Sequence, residues 1–137
     1  MRDYVEVFKA NQENDRSKLI EEAFACLDRF SAAFEDEDTD GMDACCHFPH
    51  YLLSGSEVIC WEKAGQLTKD FFGSLKQMGF KRTVVTRRKP ILVCENKVHF
   101  LYSYYREDVS GNMMSRHDNV WIVTFKDGKW GIQVRSY

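Results

Sequence analysis

Residues 117–136 read HDNVWIVTFKDGKWGIQVRS, and the middle of that run, Asp127-Gly128, decides the fold. An Asp-Gly pair between alternating apolar residues is a strong hairpin signal, because the favoured two-residue turn needs positive φ at both central positions. Such a turn pairs Lys126 with Lys129, and counting outward sets Phe125 against Trp130, Val123 against Ile132 and Trp121 against Val134. Every residue of those last three pairs is apolar, so this face is read as buried. Extending it along the same strands brings Asn119 opposite Ser136, and then His117. Gly111-Asn112, taken as another two-residue turn, pairs Arg106 with His117, Tyr104 with Asn119, Tyr102 with Trp121 and Phe100 with Val123. The two registers select one face, oily at one end and polar-tipped at the other, which is the gradient expected of a core that opens into a pocket.

The opposite face, with His99, Leu101, Ser103, Tyr105, Val120, Ile122, Thr124, Gln133, Arg135 and Tyr137, is too mixed for a second core and too apolar for free solvent. It is read as the contact of a homodimer. A further turn signal at Glu95-Asn96 completes a meander of four strands from Phe80 to Tyr137.

Ahead of Phe80 the period is helical. Leu19, Ile20, Ala23, Phe24, Leu27, Phe30, Ala33 and Phe34 share one face of a first helix, with Asp15 or Ser17 as N-cap. Thr39 or Asp40 starts a shorter helix reaching towards His47, and Pro49 stops it. Tyr51-Leu-Leu and Glu57-Val-Ile-Cys-Trp61 flank Ser-Gly-Ser as a short hairpin. The stripe Ala64, Leu67, Phe71, Leu75 and Met78 predicts a third helix ending at Gly79, with Gly65 and Gly73 inside it at a cost of about 1 kcal/mol each. The fold class is therefore α+β, three N-terminal helices packed on a strongly curved antiparallel sheet.

At 137 residues the chain reads as one domain, 1–137, with residues 1–16 as an N-terminal extension whose mobility is left open. The 19 basic and 21 acidic residues leave a net charge of −2, which does not favour nucleic acid as a partner. The basic stretch Lys81, Arg82, Arg87, Arg88 and Lys89 alternates between strand faces, and Pro90 marks it as an edge strand. No apolar run approaches the ~20 residues that span a bilayer. The opening MRDYVEVFKANQENDR is too polar and acidic for a signal peptide, so no membrane association and a cytoplasmic location are expected.

The candidate chemistry is sparse. Cys26, Cys45, Cys46, Cys60 and Cys94 include no C-x-x-C and read as reduced thiols. Asp36-Glu-Asp38-Thr-Asp40-Gly41 begins like a calcium loop, but the twelfth position is His47 rather than glutamate, so the run reads as a turn with a helix cap. His47 and His50 form H-x-x-H across Pro49 with no third ligand nearby; no metal and no cofactor are expected. His50, His117, Tyr104 and Asn119 are the candidate catalytic residues. Either imidazole could act as a base near neutrality, and the phenol and amide could hold a developing oxyanion. Phe48, Tyr51, Phe100, Tyr102, Arg106 and Trp121 are the candidate ligand-binding residues, with Arg106 suited to a carboxylate or carbonyl.

The order of elements, the proline-containing lead into the hairpin and the pattern V-W-x-x-x-x-x-D-G-x-W, here Val120-Trp121 to Trp130, resemble the nuclear transport factor 2-like superfamily. The SnoaL-like and other uncharacterised bacterial members look nearest, from about Leu19 to the end. The resemblance implies a cone-shaped half-barrel with an internal pocket between sheet and helices, dimeric through the outer sheet face. It implies a small-molecule-binding domain. As alternatives it implies an isomerase, dehydratase or cyclase of the SnoaL-like or ketosteroid-isomerase-like kind working through a histidine base, or a protein-interaction module. Where isomerase-like relatives present an acidic residue beside a proline, this chain reads His47-Phe48-Pro49-His50-Tyr51.

Overall fold

The apolar stripe of the first helix meets the middle of the sheet, and that contact organises the molecule. The computed structural model describes residues 4–8 and 15–137. Helix α1 spans Ser17–Glu35 and buries Ala23, Cys26, Leu27, Phe30 and Ala33. Its start differs from expectation: Arg16 occupies the cap position, while the Asp15 carboxylate accepts from the Ser17 amide at 2.9 Å and its hydroxyl at 2.7 Å. Helix α2, Thr39–Ala44, is capped by Asp38 rather than Thr39 or Asp40, and it ends before His47, which already lies in a strand. Most of the proposed 1–16 extension lies outside the described residues. Within it, Tyr4–Val7 form one turn of 3-10 helix.

Strands β1 (Cys46–Ser54) and β2 (Glu57–Trp61) make the short hairpin. Helix α3 (Lys69–Gln77) follows, then β3 (Phe80–Cys94), β4 (Lys97–Asp108), β5 (Met113–Lys126) and β6 (Lys129–Ser136). Helix α3 begins later than the stripe suggests. Gly65 has φ +95° in the lead-in, where its amide donates to Asp43 at 3.0 Å, so it carries no helix-interior cost.

The sheet order is β2-β1-β6-β5-β4-β3, with β3 at the edge. It is mixed rather than wholly antiparallel, because β1 runs parallel to β6. Pro49 has no amide to give to that ladder, and side chains take over the junction. His47 Nε2 meets Lys129 O at 3.0 Å, His50 Nδ1 meets Ile132 O at 2.9 Å, and Gln133 donates to Pro49 O. Gly131 is required here: a Cβ on it would lie 2.7 Å from the His47 ring.

Two registers depart from the expected ones, with different consequences. Strand β4 pairs Phe100 with Trp121, Tyr102 with Asn119, Tyr104 with His117 and Arg106 with Ser115. This is a slip of two, caused by a longer loop in which the Asp108 carboxylate accepts from the amides of Ser110 and Asn112, each at 2.9 Å. Because side chains alternate with period two, the slip leaves every face unchanged. Between β5 and β6, Lys126 to Val123 pair as expected, but a bulge then sets Ile122 against Val134 and Trp121 against Arg135. Gln133 is the extra residue. The bulge moves Val134 to the outer face and Arg135 to the inner one, the reverse of the expectation.

Candidate functional site

The inner face of the sheet is filled at one end and hollow at the other. Phe24 of α1 closes on Phe100 with ring centres 4.9 Å apart, and Val98, Phe100, Val123 and Ile132 have no exposed surface. Farther along α1, Phe34 joins an aromatic cluster with Phe71, Phe72 and Phe80, and Phe34 and Phe71 face the cavity wall. A cavity of about 420 Å³ remains between, walled mainly by apolar side chains from α1, α2, the β1–β2 hairpin, the start of α3 and β3–β6.

Tyr102 and Trp121 form one wall, their rings parallel within 6° at 4.2 Å, and Phe30 meets Trp121 edge-on at 5.5 Å. Tyr104 stacks on His117 at 4.8 Å. Burial, then the neighbouring Tyr137 phenol, hold the Tyr104 hydroxyl above the usual phenol range, so it stays a donor. His117 Nε2 is hydrogen-bonded to Ser115 Oγ at 2.9 Å. Burial first, and Arg106 second, depress its pKa, which makes it a weak base.

Arg106 lies between Phe71 and Tyr104, its guanidinium carbon 5.8 and 6.0 Å from the two ring centres. Its Nε is buried without a hydrogen bond, and no carboxylate lies within 4.0 Å of the side chain among the described residues. The adjacent Glu107 instead takes Arg82 at 2.9 Å. Two further buried polar atoms on the cavity wall lack partners, Thr83 Oγ1 and Trp121 Nε1.

The expectations for the other residues need correcting. His50 does not stand at a pocket rim. It is fully buried beneath the wall, stacked at 5.8 Å on Trp61, with Nδ1–H donated to Ile132 O and Nε2 accepting from Arg135 Nε at 3.1 Å. Burial, reinforced by the Arg135 charge, pushes its pKa down to about 4. With both nitrogens engaged, it orients Arg135 and has no lone pair for a substrate proton. Asn119 is buried but off the cavity wall, and its amide nitrogen donates to Tyr102 O at 3.2 Å. Phe100 belongs to the filled end, Phe48 packs against the core, and Tyr51 points to the outer face. Of the expected ligand contacts, Tyr102, Arg106 and Trp121 line the cavity, as do Tyr104 and His117.

Arg135 is the residue that the sequence reading missed. Its guanidinium carbon sits 5.5 Å from Phe30 and Trp121 and 5.9 Å from Trp61. The signal that could have found it is Gly131-Ile-Gln133, a glycine beside a polar residue inside a strand, which is a common mark of a bulge.

The remaining motifs are structural. Asp38 of the calcium-like run accepts from Gly41 N at 2.9 Å. Arg88 of the basic stretch pairs with Asp28 at 2.6 Å. The five cysteines are unbridged, and burial pushes Cys26 up to about 11 and Cys46 to about 12. No group of three or more His, Cys, Asp or Glu among the described residues is arranged to hold a metal, and no helix among them is long and apolar enough to cross a membrane.

No protein-family profile matches the sequence, and no curated protein does. Solved structures do. A protein of unknown function with a cystatin-like fold from Nostoc punctiforme superposes with a TM-score of 0.66 at 16% identity, covering 91% of this chain and 92% of that one. Aln2 from a Streptomyces species gives 0.66 at 12% identity, over 90% and 92%. An NTF-2-like protein of unknown function from Shewanella oneidensis gives 0.60 at 10% identity, over 86% and 97%. The architecture is thus the cystatin-like, nuclear transport factor 2-like fold, with a six-stranded mixed sheet that does not close into a barrel.

Proposed function

We propose that this chain is a small-molecule-binding domain whose ligand is a compact, largely apolar organic anion. One observation carries the reading: Arg106 stands in an apolar cavity of about 420 Å³ with a buried Nε that has no partner, and no carboxylate beside it, among the described residues. A guanidinium cannot shed its charge at physiological pH, and leaving it partly desolvated and unpaired is costly. A ligand carboxylate on Arg106 and Thr83, with its hydrocarbon part against Tyr104, Tyr102 and Phe71, would relieve that cost. Binding is better supported than proton transfer. His50 is occupied on both nitrogens, His117 is a weakened base, and Glu35, the acidic residue on the wall, is exposed.

Titration calorimetry with 2-naphthoate and its neutral amide tests this. The acid is expected to bind at least about tenfold more tightly than the amide, the size of one charge-assisted hydrogen bond. Arg106→Met should remove the difference. Equal binding of acid and amide, or binding of neither, overturns the reading.

A further inference from the structure

We infer that the ligand is two-headed, an organic diacid with one anionic group on Arg106 and the other on Arg135. The inference rests on the reading of Arg106 as an anion site and deepens it. Arg135 is only 9% exposed, lines the cavity, and has no carboxylate within 4.0 Å among the described residues. Its Nε is committed to neutral His50, and Nη1 reaches Tyr137 Oη at a long 3.5 Å. Among the described residues no hydrogen bond engages Nη2, which leaves that arm of the fork for a ligand. Three aromatic rings around it supply quadrupole attraction but no negative charge.

The two arginines are separate stations. Arg106 leans on Phe71 and Tyr104, Arg135 on Phe30, Trp61 and Trp121, and they share no ring. Arg135 is level with Trp121 and hence with Phe100, while Arg106 lies six residues farther along β4. At ~3.3 Å per residue that is roughly 20 Å of strand between their backbones, and both side chains line the cavity, where both charges act on the Tyr104 hydroxyl.

Each station also has its own unused polar partner, on the residue paired directly across the sheet. Thr83 pairs with Arg106, and Thr83 Oγ1 is buried without a hydrogen bond. Trp121 pairs with Arg135, and Trp121 Nε1 is buried without one. A guanidinium beside a lone donor matches the two oxygens of a carboxylate, and the pattern occurs twice. The wall between the stations is aromatic, from Tyr102 to Tyr104 and Tyr137, which favours a flat, rigid spacer.

The test compares three aromatic diacids of increasing length, terephthalate, naphthalene-2,6-dicarboxylate and biphenyl-4,4′-dicarboxylate, each with its monoacid, by calorimetry at one ionic strength. At least one diacid is expected to bind about tenfold or more tightly than its monoacid. Arg135→Met should bring that diacid down to monoacid affinity. Trp121→Phe, which keeps a ring and deletes the donor, should reduce the advantage should Arg135→Met not fold. Monoacid binding without a diacid advantage at any length overturns this inference and leaves the Arg106 reading standing. Binding of neither class overturns both.

Discussion

The two ends of the inner sheet face are built from the same strands and face the same helix, yet one is solid and the other hollow. At the solid end Val98, Phe100, Val123 and Ile132 pack in one cluster with Phe24 and Leu27 and have no exposed surface. At the hollow end Arg106, His117 and Arg135 replace those side chains, and Thr83, Arg106 and Trp121 keep buried polar atoms without partners. A core built for stability avoids such atoms, since each costs about 1–3 kcal/mol. Three of the five such atoms among the described residues line this cavity, His99 Nε2 and Asn119 Oδ1 lying off it, so stability is supplied at one end and given up at the other, where a ligand can use it.

Substitution at the solid end gives the largest expected effect on that contrast. Phe100→Ala should lower the unfolding free energy by about 3–5 kcal/mol in urea denaturation, because the site is enclosed on all sides and cannot collapse. A loss below about 1 kcal/mol would erase the distinction between the two ends.

The junction between the ends should show in the pH dependence of stability. His50 is held neutral in the folded protein, with its pKa pushed down to about 4 from the usual 6.5. Above pH 6.5 both folded and unfolded forms are neutral and the shift has no effect. As pH falls from 6.5 towards 4 the unfolded chain takes up a proton that the folded chain refuses, so stability is lost, by up to about 3 kcal/mol. The depressed His117 contributes in the same direction. Thermal melts from pH 7.5 to 4 should show this loss, and His50→Gln should flatten it relative to the parent. An unchanged slope in that variant would mean that His50 is not the titrating group.

The smallest effect belongs to the hollow end. Thr83→Val replaces an unpartnered buried hydroxyl with a methyl of the same shape. It should leave stability unchanged or raise it by up to about 1 kcal/mol, while weakening binding of 2-naphthoate. Destabilisation beyond about 1 kcal/mol would show that Thr83 serves the core, and the two ends would be less distinct than described.

Much of this organisation was legible in particular residues. Asp127-Gly128 set the last hairpin and the inner face of β5, and Gly111-Asn112 carried that face to Phe100, Tyr102, Tyr104 and Arg106 even though the β4–β5 partners were slipped by two. The inner position of Arg135 was not legible by counting, since a single inserted residue at Gln133 reverses every face beyond it. His50 was misplaced for a related reason. Sequence shows an imidazole beside a proline, but not that β6 would run parallel to it and offer Ile132 O and Arg135 Nε to its two nitrogens.

Local sequence by itself determined the period of each segment, the turn at Asp127-Gly128 and the amphipathic stripe of α1, because these depend on spacing and on φ preferences within a few residues. Tertiary structure alone decided the parallel β1–β6 pairing, the bulge it goes with, and the pairing of each orphan donor with an arginine across the sheet. Those features depend on which distant backbone groups remain to be satisfied once the strands are side by side, and no local pattern encodes that.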